Sequence, residues 1–235
     1  MNRYIYTYDL IQKAEQKTFE TSNSFRVMEE AAKACFKYII NECNSKKILA
    51  LCGPGNNGGD GILLAQYLLK ESFLVHVNYP IAEPKTEDSK KALSLLKDRN
   101  IIIQNPLINE YDIIIDALFG TGMKKKFNNE ILKLFIQINE AKGKKVSIDM
   151  PSGISTDSGQ IDKVAVKADI TLTFHRYKPG QWLLPAKEYC GKIKLLDIGL
   201  ANLDNESRIK LNYPSKPSPP GPISSFPPNS SPPGL

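Results

Sequence analysis

The chain has 235 residues, of which 41% are hydrophobic and 24% are charged, a composition typical of a globular protein. Its net charge of +6 comes from scattered lysines rather than one basic block, so it indicates mild attraction for anionic ligands and no nucleic-acid surface. No stretch approaches the roughly 18 apolar residues of a membrane span, and no signal-peptide core precedes the first acid, so we expect a cytoplasmic protein without membrane contact.

Cysteine and histidine usage argues against a zinc site. The four cysteines, Cys35, Cys43, Cys52 and Cys190, contain no C-x-x-C pair, and only two histidines are present. We expect the four thiols to be reduced, as in a cytosolic compartment.

The predicted elements alternate along the chain. Residues 9–43 are predicted to be helical, with a break and a new N-cap at 22–24. The continuous apolar run 47–52 is typical of a parallel strand buried on both faces. The later alternation of strands and helices indicates βαβ units and a mostly parallel sheet. The predicted helices are 61–69, 85–97 and 128–141, and the predicted strands are 73–79, 101–103, 112–116, 146–149, 170–174 and 193–198.

The C-terminal segment has a different composition. From Pro214 to Leu235 there are nine prolines, six serines and one charged residue, Lys216, which cannot bury a core. We therefore expect one domain over residues 1–212 and a disordered tail over 213–235. A proline-rich ligand for another domain is the alternative for the tail.

A glycine-rich run follows the first predicted strand. Five glycines fall within the nine residues from Gly53 to Gly61, so the backbone there needs positive φ or a very close approach. Packed amide N–H groups that lead into a helix N-terminus bind anions, so the run is predicted to hold phosphate. A tight turn without a ligand is the alternative.

Neither of two common nucleotide-binding motifs accounts for the glycine run. Gly53, Gly55 and Gly58 match the G-x-G-x-x-G dinucleotide fingerprint, but the next predicted strand ends at 78–80 without the acid that holds the ribose. A P-loop is excluded because no Lys-Ser/Thr pair follows the glycines. The run instead offers the polar side chains of Asn56, Asn57 and Asp60 to the ligand.

Two acids stand at the ends of predicted strands, where ligands of open parallel sheets bind. Asp116 follows three isoleucines and is expected to emerge at the ligand rim, and Asp149 precedes the turn-forming Pro151-Ser152-Gly153. A carboxylate in such a place needs a cation, a donor or a substrate proton. With Asn57 the two acids supply hard oxygen ligands for a cation. The alternative for Asp116 is a helix N-cap.

Further candidates lie near the other loops. Lys124, Lys125 and Lys126 would form a solvated face or pair with ligand phosphate. His175, in the strand-end segment 174–180, is either an acid/base group or a packed histidine.

Taken together, these blocks resemble a known family. CGPGNNGGDG (52–61), DALFGTG (116–122), IDMPSG (148–153), TLTFHRYKPG (171–180) and DIG (197–199) are similar, in order and spacing, to the NAD(P)H-hydrate epimerase family, the YjeF N-terminal domain, over residues 8–200. The resemblance implies a Rossmann-like three-layer α/β/α sandwich with a mostly parallel central sheet. It also implies an isomerase that interconverts the S and R forms of NADHX and NADPHX, hydrates of the reduced nicotinamide cofactors.

The resemblance also implies site residues. The potassium site (K+) of the family maps onto Asn57, Asp116 and Ser152, its substrate-contacting acid maps onto Asp149, and Lys178 is expected to steer or stabilise charge as a second catalytic residue. The two substrate-binding loops of the family map onto Asn56, Asn57, Gly58, Gly59 and Asp60, and onto Gly120, Thr121, Gly122, Met123, Lys124, Lys125 and Lys126.

The resemblance implies partners as well: a separate NAD(P)HX dehydratase that completes the repair, and a homodimer, since members of the family are often dimeric. Our mechanistic hypothesis is that the ring nitrogen expels the C6 hydroxyl while Asp149 protonates it, and water returns on the other face. The main alternative is a non-catalytic YjeF-type nucleotide-binding or scaffold module. A generic Rossmann dehydrogenase is disfavoured because the ribose acid is missing.

Overall fold

The computed structural model describes residues 4–42, 47–122 and 127–211 of the chain. Cys43, the segment Met123–Lys126 and the predicted tail 213–235 lie outside the described residues. The helices are α1 (Tyr8–Phe19), α2 (Ser24–Glu42), α3 (Asn56–Lys70), α4 (Glu87–Leu95) and α5 (Asn129–Glu140), and the strands are β1 (Tyr4–Ile5), β2 (Lys47–Cys52), β3 (Leu74–Asn78), β4 (Ile113–Ala117), β5 (Lys144–Ile148), β6 (Ile170–Phe174), β7 (Lys192–Leu196) and β8 (Ile209–Lys210).

The strands form one six-stranded sheet and one two-stranded sheet. The large sheet has the order β3-β2-β4-β5-β6-β7 and all its pairings are parallel, while β1 and β8 pair antiparallel. This confirms the predicted Rossmann-like α/β fold. The order changes direction between β2 and β4, which is where sheets of this kind open a crevice for a ligand.

The sheet is covered on both faces, as its continuous apolar strands predict. Ile48 and Ala50 of β2 pack into a core with α1 to α4. The intervening Leu49 packs on the opposite side with Phe135 and Ile138 of α5. Because side chains alternate along a strand, one apolar run supplies both cores and fixes three layers.

The break between the first two helices is confirmed. Helix α1 ends at Phe19 and α2 begins at Ser24. The side chain of Asn23 accepts the N–H of Arg26 at 2.9 Å, so it satisfies one of the free donors at the start of α2.

Two predicted elements differ from the structure. The strand predicted over 101–103 is wrong: Asp98 caps a short 3-10 turn at Arg99–Ile101, and the segment touches the sheet through a single bridge between Ile102 and Val77. Helix α3 begins at Asn56 rather than at 61, so two thirds of the glycine run is helical. The local cap at Asp98 outweighs the strand propensity of three isoleucines.

Polar contacts hold the two ends of the described chain beside the sheet. The hydroxyl of Tyr6 donates to Asp204 Oδ1 at 3.0 Å and accepts the N–H of Leu203 at 2.7 Å. Arg176 donates to both carboxylate oxygens of Asp204, at 2.7 and 3.0 Å. Because Tyr6 lies two residues before the start of α1, these contacts fix where that helix lies.

In the described ranges no helix is long and apolar enough to cross a membrane. Cys35, Cys52 and Cys190 are buried and free, and the reduced state of all four cysteines stays a prediction.

Candidate active site

The glycine run permits close backbone approach rather than unusual backbone angles. A Cβ at Gly53 would overlap the carbonyl oxygen of Leu118, and one at Gly58 would overlap that of Gly53. Positive φ among the described glycines occurs elsewhere, for example at Gly153. The loop between β2 and α3 is therefore folded tightly onto the segment after β4, and the N-terminus of α3 opens at the carboxyl end of the sheet.

A cavity of about 550 Å³ lies at this point. Gly58 and Gly59 do not line it: both are buried in α3, and a Cβ on Gly59 would meet Met28 and Ser89, so their contact with substrate stays a prediction. Met123–Lys126 lie outside the described residues. Of the predicted substrate-binding residues, the cavity is lined by Asn56, Asn57, Asp60, Gly120, Thr121, Gly122 and Asp149.

Asp149 lies in an unusual backbone conformation at the edge of the cavity. Its φ is +66°, a left-handed angle that few residues other than glycine adopt, so the chain maintains strain at this point. Its Oδ2 accepts the N–H of Thr121 at 3.1 Å, and its Oδ1 lies 2.6 Å from Nζ of Lys178. The carboxylate thus joins the loop after β4 to the segment after β6.

Lys178 is held below the cavity instead of lining it. Its side chain is only 1% exposed, and beyond Asp149 its ammonium donates to Thr173 Oγ1 at 2.8 Å and to the carbonyl of Phe174 at 3.0 Å. Gln181, which sequence reasoning missed, donates to the carbonyl of Asp149 at 3.1 Å and to Thr173 Oγ1 at 2.9 Å. All three ammonium protons are therefore matched by oxygen acceptors.

Asp116 does not reach the ligand rim, which corrects the sequence-based expectation. It lies inside β4, fully buried, and accepts hydrogen bonds from Ser147 Oγ at 2.8 Å, from the N–H and Oγ of Ser152, and from the N–H of Leu118. It caps no helix. Burial raises the pKa of this carboxyl, against the lowering effect of the Ser152 hydrogen bonds.

The structure brings together two of the three predicted potassium ligands. Ser152 donates to Asp116 and also approaches the carbonyl of Phe119 at 3.4 Å, so three kinds of oxygen converge there. Asn57 lies beside Gly120: a Cβ on that glycine would be 3.3 Å from Asn57 Oδ1. Its Nδ2 is buried and has no hydrogen-bond partner. In the part of the chain that the structure describes, no three His, Cys, Asp or Glu side chains are grouped as metal ligands.

Helix α1 supplies a cavity wall that the sequence did not reveal. Tyr8, Gln12, Glu15 and Phe19 recur at helical spacing and all line the cavity. Polar residues at such spacing normally indicate a helix face that is exposed to solvent. Only their shared position on one face of α1 could have drawn attention to them. Thr86 was also missed: its hydroxyl donates to Asn56 Oδ1 at 2.6 Å.

The acids of the cavity have perturbed proton affinities. Burial, reinforced by the charge of Asp149 and opposed by Lys178, raises the pKa of Glu15 to about 7. Burial raises the pKa of Asp60 well above its usual range, and Asp149 and Glu15 add to the effect. Such shifts are typical of functional sites.

His175 is a packed residue and does not line the cavity. Its side chain is buried and lies edge-on to Tyr6, with ring centroids 5.2 Å apart. Burial, helped by the charge of Arg176, lowers the pKa of His175 to about 4. The structure thus favours the packing role for this histidine over the acid/base role.

Comparison with known proteins identifies similar chains. A family model described as "YjeF-related protein N-terminus" matches residues 24–180. A curated NAD(P)H-hydrate epimerase of Levilactobacillus brevis is 33% identical over 180 residues, which cover 74% of this chain and 83% of that protein. A bifunctional NAD(P)H-hydrate repair enzyme of Archaeoglobus fulgidus is 36% identical over 176 residues, which cover 74% of this chain.

The chain spans only 37% of the length of that Archaeoglobus relative. Among solved structures, the crystal structure of a yeast protein matches with a TM-score of 0.69 and 19% identity, covering 82% of this chain and 87% of the yeast chain. At that identity the match supports the fold alone.

Proposed function

The chain belongs to the family of YjeF-related protein N-termini, and from that premise we propose that it is an NAD(P)H-hydrate epimerase, an isomerase that interconverts the S and R forms of NADHX and NADPHX. The observation that carries the proposal is the Asp149–Lys178 ion pair at the cavity edge. An acid at the cavity edge, close to a helix N-terminus that can bind phosphate, suits proton transfer on a nucleotide-linked ring.

Two segments are proposed to bind the substrate. The N-terminus of α3, with Asn56, Asn57 and Asp60, would hold the pyrophosphate through backbone N–H groups and amide side chains. The loop Gly120–Gly122 would close over the ring; its backbone is held by the bond from Thr121 to Asp149. Gly58 lets α3 approach the backbone of Gly53, and Gly59 lets it pack against Met28 and Ser89. The lysines 124–126 remain proposed phosphate contacts.

Asp149 is the proposed proton-transfer residue. As half of an ion pair it begins as a carboxylate, so it takes the proton of a water that adds to C6 of the ring. In the reverse direction the protonated acid returns that proton to the leaving hydroxyl while the ring nitrogen forms the C=N bond. No oxidation or reduction occurs in either direction. Lys178 stabilises the charged state of Asp149 and does not contact the ring.

The buried carboxylate of Asp116 is a proposed ligand of a potassium ion. Asp116 is a fully buried carboxylate with no cationic partner in the described part of the chain, and unpaired buried charges are expensive. The ion would be held by Asp116 and Ser152, which are hydrogen-bonded to each other, and by Asn57 as a third ligand. When bound, it would supply positive charge that anchors the loop after β4. Oxygen ligands of this kind suit a hard cation.

The proposal also covers the domain bounds, the cellular compartment and the partners. We include residues 1–212 in one domain, which the pairing of β1 with β8 supports, and leave 213–235 outside it. A reducing compartment such as the cytoplasm is supported by the three buried free thiols. The proposed functional partner is a separate NAD(P)HX dehydratase, which would consume one epimer, and a homodimer is the proposed assembly.

The test is an assay with the purified R form of NADHX and a dehydratase that consumes only the S form. The proposal expects the protein to accelerate loss of the R form far above its spontaneous rate. Binding of NADHX without acceleration would instead favour a non-catalytic nucleotide-binding or scaffold module, and would overturn the enzymatic assignment.

A further inference from the structure

Three acids lie around the cavity, on three different elements. Asp149 follows β5, Asp60 lies in the second turn of α3, and Glu15 lies in the middle of α1. Among the described residues, only Asp149 has a cation within ion-pair distance, and that cation is Lys178. Glu15 and Asp60 therefore have no ion-pair partner within the described ranges.

Helix α1 presents Glu15 to the cavity. Tyr8, Gln12 and Phe19, which lie one and two turns away on the same helix face, line the cavity together with it. Gln12 donates to the hydroxyl of Tyr8 at 2.8 Å, so the neighbouring polar groups on this face are engaged with each other. The contacts of Tyr6 with Leu203 and Asp204 hold the helix in this phase.

Asp149 and Glu15 lie in different electrostatic environments. Asp149 is stabilised as a carboxylate by Lys178, whose ammonium lies 2.6 Å away. Glu15 is half-buried and lines the same cavity as Asp149 and Asp60, and burial with the Asp149 charge raises its pKa to about 7. One cavity thus holds an acid in an ion pair and a second acid that exchanges its proton near neutral pH. Pairs of acids divided in this way commonly act as base and acid.

Epimerisation at C6 requires two proton transfers on opposite faces of the ring. One oxygen must leave as water, which needs a proton, and another water must add from the other side, which releases one. Asp149 alone would serve both faces only if the planar intermediate turned over inside the cavity. A second proton carrier on another wall removes that requirement.

We propose that Glu15 is the second proton-transfer residue of the site and acts on the face of the ring opposite to Asp149. This inference rests on the proposed function. In one direction Glu15 donates its proton to the C6 hydroxyl, the C6–O bond breaks, and the nitrogen lone pair forms C=N as water leaves. Water then adds to C6 from the other face and its proton passes to Asp149. The C=N electrons return to nitrogen, Asp149 releases its proton to solvent and solvent returns one to Glu15, so atoms, charge and electrons balance.

The experiment compares Glu15→Gln with Glu15→Asp and with the control Glu20→Gln, an exposed glutamate just beyond the end of α1. The measurements are kcat and KM for the R form of NADHX from pH 5 to 9. We expect Glu15→Gln to lower kcat at least about 100-fold with KM nearly unchanged, since general acid–base groups contribute that much. Glu15→Asp should recover part of kcat, and Glu20→Gln should match the parent protein.

Other outcomes overturn the inference. If Glu15→Gln keeps kcat within about threefold, or raises KM alone, Glu15 carries no proton. If Glu15→Gln fails to fold, Glu15→Asp decides: the limb of its pH–kcat profile must move relative to the parent, and an unmoved limb refutes the role. A parent protein without epimerase activity refutes the proposed function instead, so the two failures are separate.

Discussion

Asp149 and Lys178 meet 2.6 Å apart, 29 positions from each other in sequence, where the ends of β5 and β6 converge. The lysine is almost completely buried, yet the oxygens of Thr173 and Phe174 complete its coordination. A buried ion pair of this kind adds little net stability, because desolvation offsets the attraction. Its value lies in maintaining one acid as a carboxylate at the cavity edge.

Replacing Asp149 with Asn tests that role. The variant should lose epimerase activity by at least about 100-fold, because the amide cannot carry a proton. It should also unfold more readily, by about 3 kcal/mol, because the ammonium of Lys178 stays buried without its anion. Steady-state kinetics and denaturant unfolding measure the two effects.

Two controls separate chemistry from stability. The double variant Asp149→Asn with Lys178→Met removes both charges and should regain most of the lost stability while staying inactive. Asp162→Asn, at an exposed acid, should change neither property. An Asp149→Asn protein with full activity would sink the assignment of this residue.

The buried Asp116 predicts a specific response to potassium. If the ion binds near this carboxylate, the melting temperature should rise by a few degrees between choline chloride and potassium chloride at equal ionic strength, following the linkage of ligand binding to stability. Replacing Asp116 with Asn should abolish the rise. Equal melting temperatures of the parent protein in both salts would contradict the potassium proposal without touching the epimerase proposal.

Two glycines of the same run should respond differently to replacement by alanine. Gly58→Ala would drive a methyl group into the carbonyl of Gly53, so we expect a loss of about 2 kcal/mol or more in the free energy of unfolding. Gly55 has no atom within 4 Å of an added Cβ and has negative φ, so Gly55→Ala should be neutral. Denaturant unfolding of both variants is the measurement, and equal losses would show that close approach is not the reason for the glycines.

Glu15 predicts a pH dependence of stability. Its pKa rises from 4.5 to about 7 on folding, so the folded state binds the proton more tightly than the unfolded state. The resulting stabilisation is complete below about pH 4.5 and disappears as the pH rises through about 7. Relative to Glu15→Gln, the parent protein should therefore lose melting temperature across that window. Parallel curves for the two proteins would show that the environment of Glu15 does not disfavour its charge.

The sequence predicted the fold because local patterns were strong. The apolar run of β2, the glycine run and the alternation of helices and strands each pointed to the same parallel sheet, and the isoleucines at 101–103 misled only because Asp98 caps a turn there. The placement of Asp149 beside the cavity also followed from its position at a strand end.

By itself, the sequence determined the layers of the protein, the edge of the sheet that carries the cavity, and most residues of the segment proposed to bind phosphate. The tertiary structure alone decided that Asp116 lies buried within β4, that Lys178 supports Asp149 from below, and that α1 brings Glu15 to the same cavity. The physical reason is the distance along the chain over which each kind of interaction acts. Periodicity and turn chemistry act between near neighbours in the chain, whereas burial and the meeting of charges depend on which distant segments pack together.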